Sequence, residues 1–147
     1  MAQRSRQKGK AVNAEPGIED YRALALFRYS LRKFLEFSQG AARSVGLTPQ
    51  QHQALLSIIG YPDRDSITIG ELAERMLLKH HSTVELVDRL VELGLVKRTS
   101  DPEDRRRVLL VLTAKSRKLL NSLSAAHLEE LRRIRPVFAN LMDRLER

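Results

Sequence analysis

The chain has 147 residues, 42% of them apolar, enough for one domain with a buried core and helices to spare. Its 26 Lys and Arg against 18 Asp and Glu leave a formal charge of +8, which favours an anionic partner: nucleic acid, a membrane surface or an acidic protein. The lack of Cys excludes disulfides, thiolate metal sites and thiol sensing, the lack of Trp argues against a base-stacking platform for single strands, and no apolar run approaches the length of a membrane span or the core of a secretory signal. A soluble cytoplasmic protein without a cofactor or a membrane partner is expected.

Residues 1–16 carry Arg4, Arg6, Lys8 and Lys10 with no acidic residue before Glu15 and almost nothing to bury. They are expected to form a disordered basic arm, either a solvated tail or a source of phosphate contacts. From residue 18 to 45, Leu24, Phe27, Leu31, Phe34 and Leu35 recur at three- and four-residue steps, widened by Tyr21 and Leu26. This predicts a helix apolar enough to need another helix, from this chain or a second one. Gly46 ends it. Thr48 then caps a new helix, with Pro49 at the first helical position and Gln51 completing a capping box. That helix runs to about Ile59 and is expected to bury Leu55, Leu56, Ile58 and Ile59.

After turn residues at 60–63, Thr68 and Glu71 form a second capping box, with Ile67 and Leu72 placed as a hydrophobic staple. The short helix they start buries Leu72, Ala73 and Met76. A brief turn at Leu77, Leu78 and Lys79 leads to a helix over 80–93, with Val84, Val87, Leu90 and Val91 inward and Gly94 as its stop. Its start lies between Lys79 and Ser82, and Ser82 with Glu85 offers a third box. The hydrophobic period then changes to two, predicting strands at 95–99 and 107–112. Asp101-Pro102-Glu103-Asp104 suits a type I turn between them, and Arg105, Arg106 and Arg107 follow at once. Thr113 caps a long final helical region lined by Leu119, Leu120, Leu123, Leu128, Leu131 and Ile134. Pro136 is expected to break or kink it and leave 137–145 as a last amphipathic helix.

Two short helices joined by a tight turn and followed by a hairpin form a winged helix-turn-helix layout. The fold class is mainly α, with about six helices and a two- to three-stranded β-wing. Lys79, His80, His81, Ser82 and Thr83 are small or flexible donors where a recognition helix would meet base edges and phosphates. The arginine triplet sits where a wing would reach a neighbouring groove, and arginine suits the negative potential of a narrow minor groove. His80 and His81 are poor joint metal ligands, because adjacent helical residues point about 100° apart. His52 and His127 are remote from them in sequence, so no metal site is expected. No phosphate loop, nucleophile elbow or metal-ligand spacing points to an enzyme.

These residues resemble the MarR family of bacterial winged-helix transcriptional regulators, over about residues 20–145. The resemblance rests on Leu47-Thr48-Pro49-Gln50-Gln51, on Ser82 to Leu90 with Glu92-Leu93-Gly94-Leu95-Val96-Lys97-Arg98, and on Asp101 to Arg106 leading into Val111-Leu112-Thr113. It implies a homodimer joined by helical regions at 17–46 and 114–147, with the DNA-binding winged helix at 47–113. Each chain would present one recognition helix and one wing to a pseudo-palindromic double-stranded site. A small effector, often aromatic or anionic in the family, would bind between the two parts and release the DNA; His52 would be either a hydrogen-bonded structural histidine or a residue bordering that crevice. The family's wing pattern Asp-x-Arg-Asp-x-Arg is met at Asp101, Asp104 and Arg106, with Glu103 in place of the first arginine. Asp101 and Asp104 would orient the wing, Arg106 would probe the groove, and Arg105 and Arg107 would compensate for Glu103. Ser116 stands where the family commonly has glycine after Leu112-Thr113. Two other readings stay open from the sequence: a winged helix that holds an acidic protein, and an architectural DNA binder without sequence preference.

Overall fold

Capping chemistry sets where most helices of this chain begin. In a computed structural model, which describes residues 15–146, the order is α1 (Ile18–Ser44), α2 (Pro49–Ile59), β1 (Ser66–Ile67), α3 (Ile69–Met76), α4 (His80–Glu92), β2 (Val96–Ser100), β3 (Val108–Leu112) and α5 (Ala114–Leu145). Up to residue 14 the expected basic arm lies outside the described residues. Thr48, Thr68 and Thr113 each accept a hydrogen bond from the backbone N–H three residues on, and each closes a reciprocal box with Gln51, Glu71 or Ser116.

Helix ends follow an equally local rule. At the end of α1, Leu47 N–H donates to Ala42 O and Gly46 N–H to Arg43 O, with Gly46 at φ +79. Gly94, at φ +70, closes α4 in the same way. The end of α3 repeats this geometry without glycine: Leu77 adopts φ +54 and its side chain is 92% exposed. A left-handed leucine costs ~1–2 kcal/mol, which makes this stop invisible to a search for glycine.

The sheet is antiparallel in the order β1-β3-β2, with Ser66 opposite Val111 and Ser100 opposite Val108. Ile67 on β1 and Leu110 and Leu112 on β3 join Leu55 and Ile58 of α2, Leu72 of α3 and Leu90 of α4 in one core. Leu120 and Leu123 of α5 and Ala42 of α1 close it. Beyond this core α1 and α5 lie against each other, Phe27 meeting Phe138 edge-on with ring centroids 5.4 Å apart. The junction between α4 and α5 is densely bonded. Thr113 Oγ1 donates to Gly94 O at 2.7 Å, and the buried Ser116 hydroxyl donates to Leu95 O at 2.6 Å. Ser116, in place of the family's glycine, therefore serves both the cap and the strand entry.

Four expectations change. Pro136 does not divide the last helix, so the described residues hold five helices and 137–145 continue α5. An interior proline costs ~3 kcal/mol. Packing beyond it offsets that cost, through Phe138 on Phe27 and Arg144 at 3.2 Å from Asp20. Leu56 is 48% exposed, because it lies on the side of α2 turned towards a crevice and not the core. The box at Ser82 and Glu85 does not form, since α4 already begins at His80 with Lys79 as its cap residue. The hydrogen-bonded turn of the wing spans 104–107, where Arg107 N–H donates to Asp104 O at 3.0 Å, three residues later than expected.

Candidate nucleic-acid interface

Helix α4 starts differently from α2, α3 and α5. Its cap residue Lys79 makes no side-chain hydrogen bond, so the first-turn N–H groups are left without a capping side chain. Lys79, His80 and His81 are exposed around this start and Ser82 is half-buried. An uncapped helix N-terminus beside a cation can accept an anion. Thr83 does not belong to this set. It is fully buried, and its Oγ1 donates to Lys79 O at 2.9 Å, because its phase on the helix matches that of Val87 and Leu90. Arg89 pairs with Glu92 at 3.1 Å, and Asp88 with Arg98, which ties α4 to β2.

Asp101 and Asp104 shape the tip of the wing through the backbone. Asp101 Oδ1 accepts the Glu103 N–H at 2.9 Å and Asp104 Oδ1 accepts the Arg106 N–H at 3.0 Å. The three arginines are not equivalent. Among the described residues, Arg105 and Arg106 have no ion pair and are exposed, whereas Arg107 lies 3.5 Å from Glu71 and 3.9 Å from Asp101.

Glu71 does more than close the capping box of α3. Beyond capping α3 it pairs with Arg64 and receives Arg107, and Tyr61 lies under the guanidinium groups of Arg64 and Arg75. Burial alone would raise its carboxyl, but hydrogen bonds from Tyr61 and Thr68 and the Arg64 charge outweigh that and hold it below the ordinary value. The wing base is thereby fastened to the start of α3. The capping box gave one role of Glu71; the pairing with Arg107 has no local signal.

His52 lies elsewhere, in a crevice of about 390 Å³ between α1, α2 and α5 lined by Phe34, Ser38, Leu56, His127, Leu128 and Leu131 among others. The ring is 4% exposed and its centroid is 4.9 Å from that of His127, a contact that sequence separation concealed. Burial, and next the charge His127 can carry, hold the His52 imidazole below its ordinary value. Among the described residues no cluster of three metal-ligating side chains occurs, and no helix is long and apolar enough to cross a membrane.

A family model described as MarR family matches residues 45–107. YcgE of Bacillus subtilis, an uncharacterized HTH-type transcriptional regulator, is 36% identical over 121 residues, which cover 82% of this chain and 70% of the relative. A MarR family protein from Bacillus stearothermophilus has a similar structure, with a TM-score of 0.74 at 23% identity, covering 90% of this chain and 96% of that one. A Staphylococcus aureus MepR mutant bound to an oligodeoxyribonucleotide gives a TM-score of 0.64 at 19% identity, covering 89% and 98%. At these identities the two structures are likenesses of fold.

Proposed function

Because the chain belongs to the MarR family of helix-turn-helix transcriptional regulators, we propose that it is a sequence-specific regulator acting in the cytoplasm, a homodimer on a pseudo-palindromic operator that a small molecule releases. The observation that carries this reading is the start of α4, an uncapped helix N-terminus with Lys79, His80 and His81 exposed around it. These three and Ser82 meet the DNA in the major groove, and Arg105 and Arg106 reach the neighbouring groove from the wing. Asp101 and Asp104 hold the wing tip in shape, while Arg107 fastens it to α3. A protein of this fold, a Staphylococcus aureus MepR mutant, is solved bound to an oligodeoxyribonucleotide, which supports DNA as the partner.

Dimerisation is supported by the apolar surface that α1 and α5 leave uncovered: Tyr21, Leu24, Leu26, Met142 and Leu145 are all at least 49% exposed. A single chain rarely leaves so much apolar surface in one place, and a two-fold partner would bury it. Two-fold symmetry puts the half-sites about one helical turn apart. The effector enters the crevice that His52 lines, where a bound molecule touches both the dimerisation helices and α2. Its effect on DNA is repression relieved by ligand.

The test is a binding titration of DNA from upstream of the protein's own gene against scrambled DNA of equal length, at two salt concentrations. A preference of about a thousandfold is expected of a specific regulator. Equal, salt-sensitive binding to both would indicate an architectural protein, and no binding would leave a protein-binding winged helix.

A further inference from the structure

The crevice between the two parts of the molecule contains, among its described lining residues, two ionisable side chains and no carboxylate, lysine or arginine. Those two are His52 and His127. We propose that they form a proton-operated latch between α2 and the α1–α5 pair, so that uptake of one proton loosens this docking and lowers affinity for DNA. The effect on DNA rests on the reading above, in which the spacing of two recognition helices matters; the protonation does not.

His127 is held from both sides. Its Nδ1 donates to Leu123 O at 2.6 Å, which leaves Nε2 to accept from the Ser38 hydroxyl at 2.7 Å. Phe34 and Phe37 meet it edge-on at 5.8 and 5.4 Å. The imidazole thus joins α5 to α1. His52, on α2, lies against this fixed ring at 4.9 Å with the planes 48° apart. Its ring nitrogens are not sealed from water, because among the described residues no buried side-chain nitrogen lacks a hydrogen-bond partner. When both rings are neutral the contact is ordinary packing. A proton on either one places a cation in apolar surroundings, and a second would set two cations against each other.

Among the described residues that line the crevice, no carboxylate is present to relieve this. On α2 the residues flanking His52 are the neutral Gln51 and Gln53. On the other two helices, Lys33 and Glu36 of α1 and Glu130 and Arg133 of α5 line a separate cleft, and Glu130 is already paired with Arg133 at 3.1 Å. The strain is relieved as α2 draws away from α5 and the two rings separate. The winged helix stays joined to α5 through Thr113 and Ser116, so a loosened α2 lets it turn about that junction. Such a turn changes the separation of the two recognition helices, and a changed separation fits a fixed operator less well. Burial and His127 keep His52 below its ordinary value of 6.5, so the latch works on the acid side of neutrality.

Two measurements on the full chain test this. The first is an NMR titration of the imidazole C2–H signals in the wild type and in His127→Gln. The His52 midpoint is expected below 6.5 and should move up in the variant. The second compares DNA affinity near pH 7.5 and 5.5, at constant ionic strength, for the wild type and His52→Gln on the duplex selected above. Because the docked chain binds the proton less tightly than the released one, the wild type is expected to lose several times more affinity than the variant. Both proteins keep His80 and His81, so any contribution from those two is common to both. An unmoved His52 midpoint in His127→Gln, or the same acid response in both proteins, overturns the latch. If His52→Gln does not fold, His127→Gln takes its place in the second measurement. Failure to bind DNA at any pH refutes the regulator reading and not the latch, which the C2–H midpoints then decide.

Discussion

Replacing Arg106 by alanine removes a guanidinium that, in the proposed complex, gives up no partner among the described residues on meeting DNA. Among the described residues it makes no ion pair, while its own backbone N–H is fixed by Asp104 Oδ1 at 3.0 Å, so the side chain starts from a set position. Each phosphate contact contributes ~0.9 to the salt slope, so one Arg106 from each protomer of a dimer accounts for ~1.8. Between about 50 and 200 mM salt that slope corresponds to roughly a twelvefold difference in how far affinity falls. Fluorescence anisotropy over a salt series reads both quantities. The matching Arg107→Ala change is expected to lower the slope by less than half as much, because Arg107 is already 3.5 Å from Glu71 and 3.9 Å from Asp101. An unchanged slope in Arg106→Ala would remove the wing from the interface. Equal losses in the two variants would show that the Glu71 contact does not hold Arg107 away from DNA.

Three further outcomes are expected. Ser116→Gly deletes a buried hydroxyl that donates to Leu95 O at 2.6 Å and completes the α5 cap. The lost bonds and the poor helix propensity of glycine together cost about 2–3 kcal/mol, seen as a lower urea midpoint with an unchanged m-value, and a variant as stable as the wild type would contradict this. Thr83→Val keeps the shape and removes the bond to Lys79 O, at a cost of ~1 kcal/mol, and should leave discrimination between DNA sequences as it was. A changed base preference on a panel of operator variants would return Thr83 to the DNA-reading residues. His52 titrates lower in the folded chain than its ordinary 6.5, so below that value the unfolded chain binds the extra proton. Its contribution to stability is therefore complete above 6.5 and is lost as the pH falls towards the folded-state value. Urea midpoints between pH 7.5 and 5.5 should fall for the wild type and flatten in His52→Gln.

Short-range rules govern the part of this protein that was legible in its sequence. Thr48, Thr68 and Thr113 set three helix starts because a cap and its box partner lie three residues apart, and Gly46 and Gly94 set two ends because a left-handed residue needs no distant support. The change of period after Gly94 located the wing for the same reason, and the order of these elements was enough to bring the family resemblance into view. The tertiary structure alone decided which side chains are available. It turned Thr83 into the core while its neighbours His80 and His81 stayed in solvent. It divided one arginine triplet into two members without an ion pair among the described residues and one fastened to Glu71, and it continued α5 past Pro136 by packing Phe138 on Phe27. It also set His52 against His127 in a crevice shared by three helices. Each of these outcomes depends on the phase of a helix against a distant neighbour or on a charge supplied by another element. Such contacts form only when the core closes, and no pattern within a few residues of the chain records them.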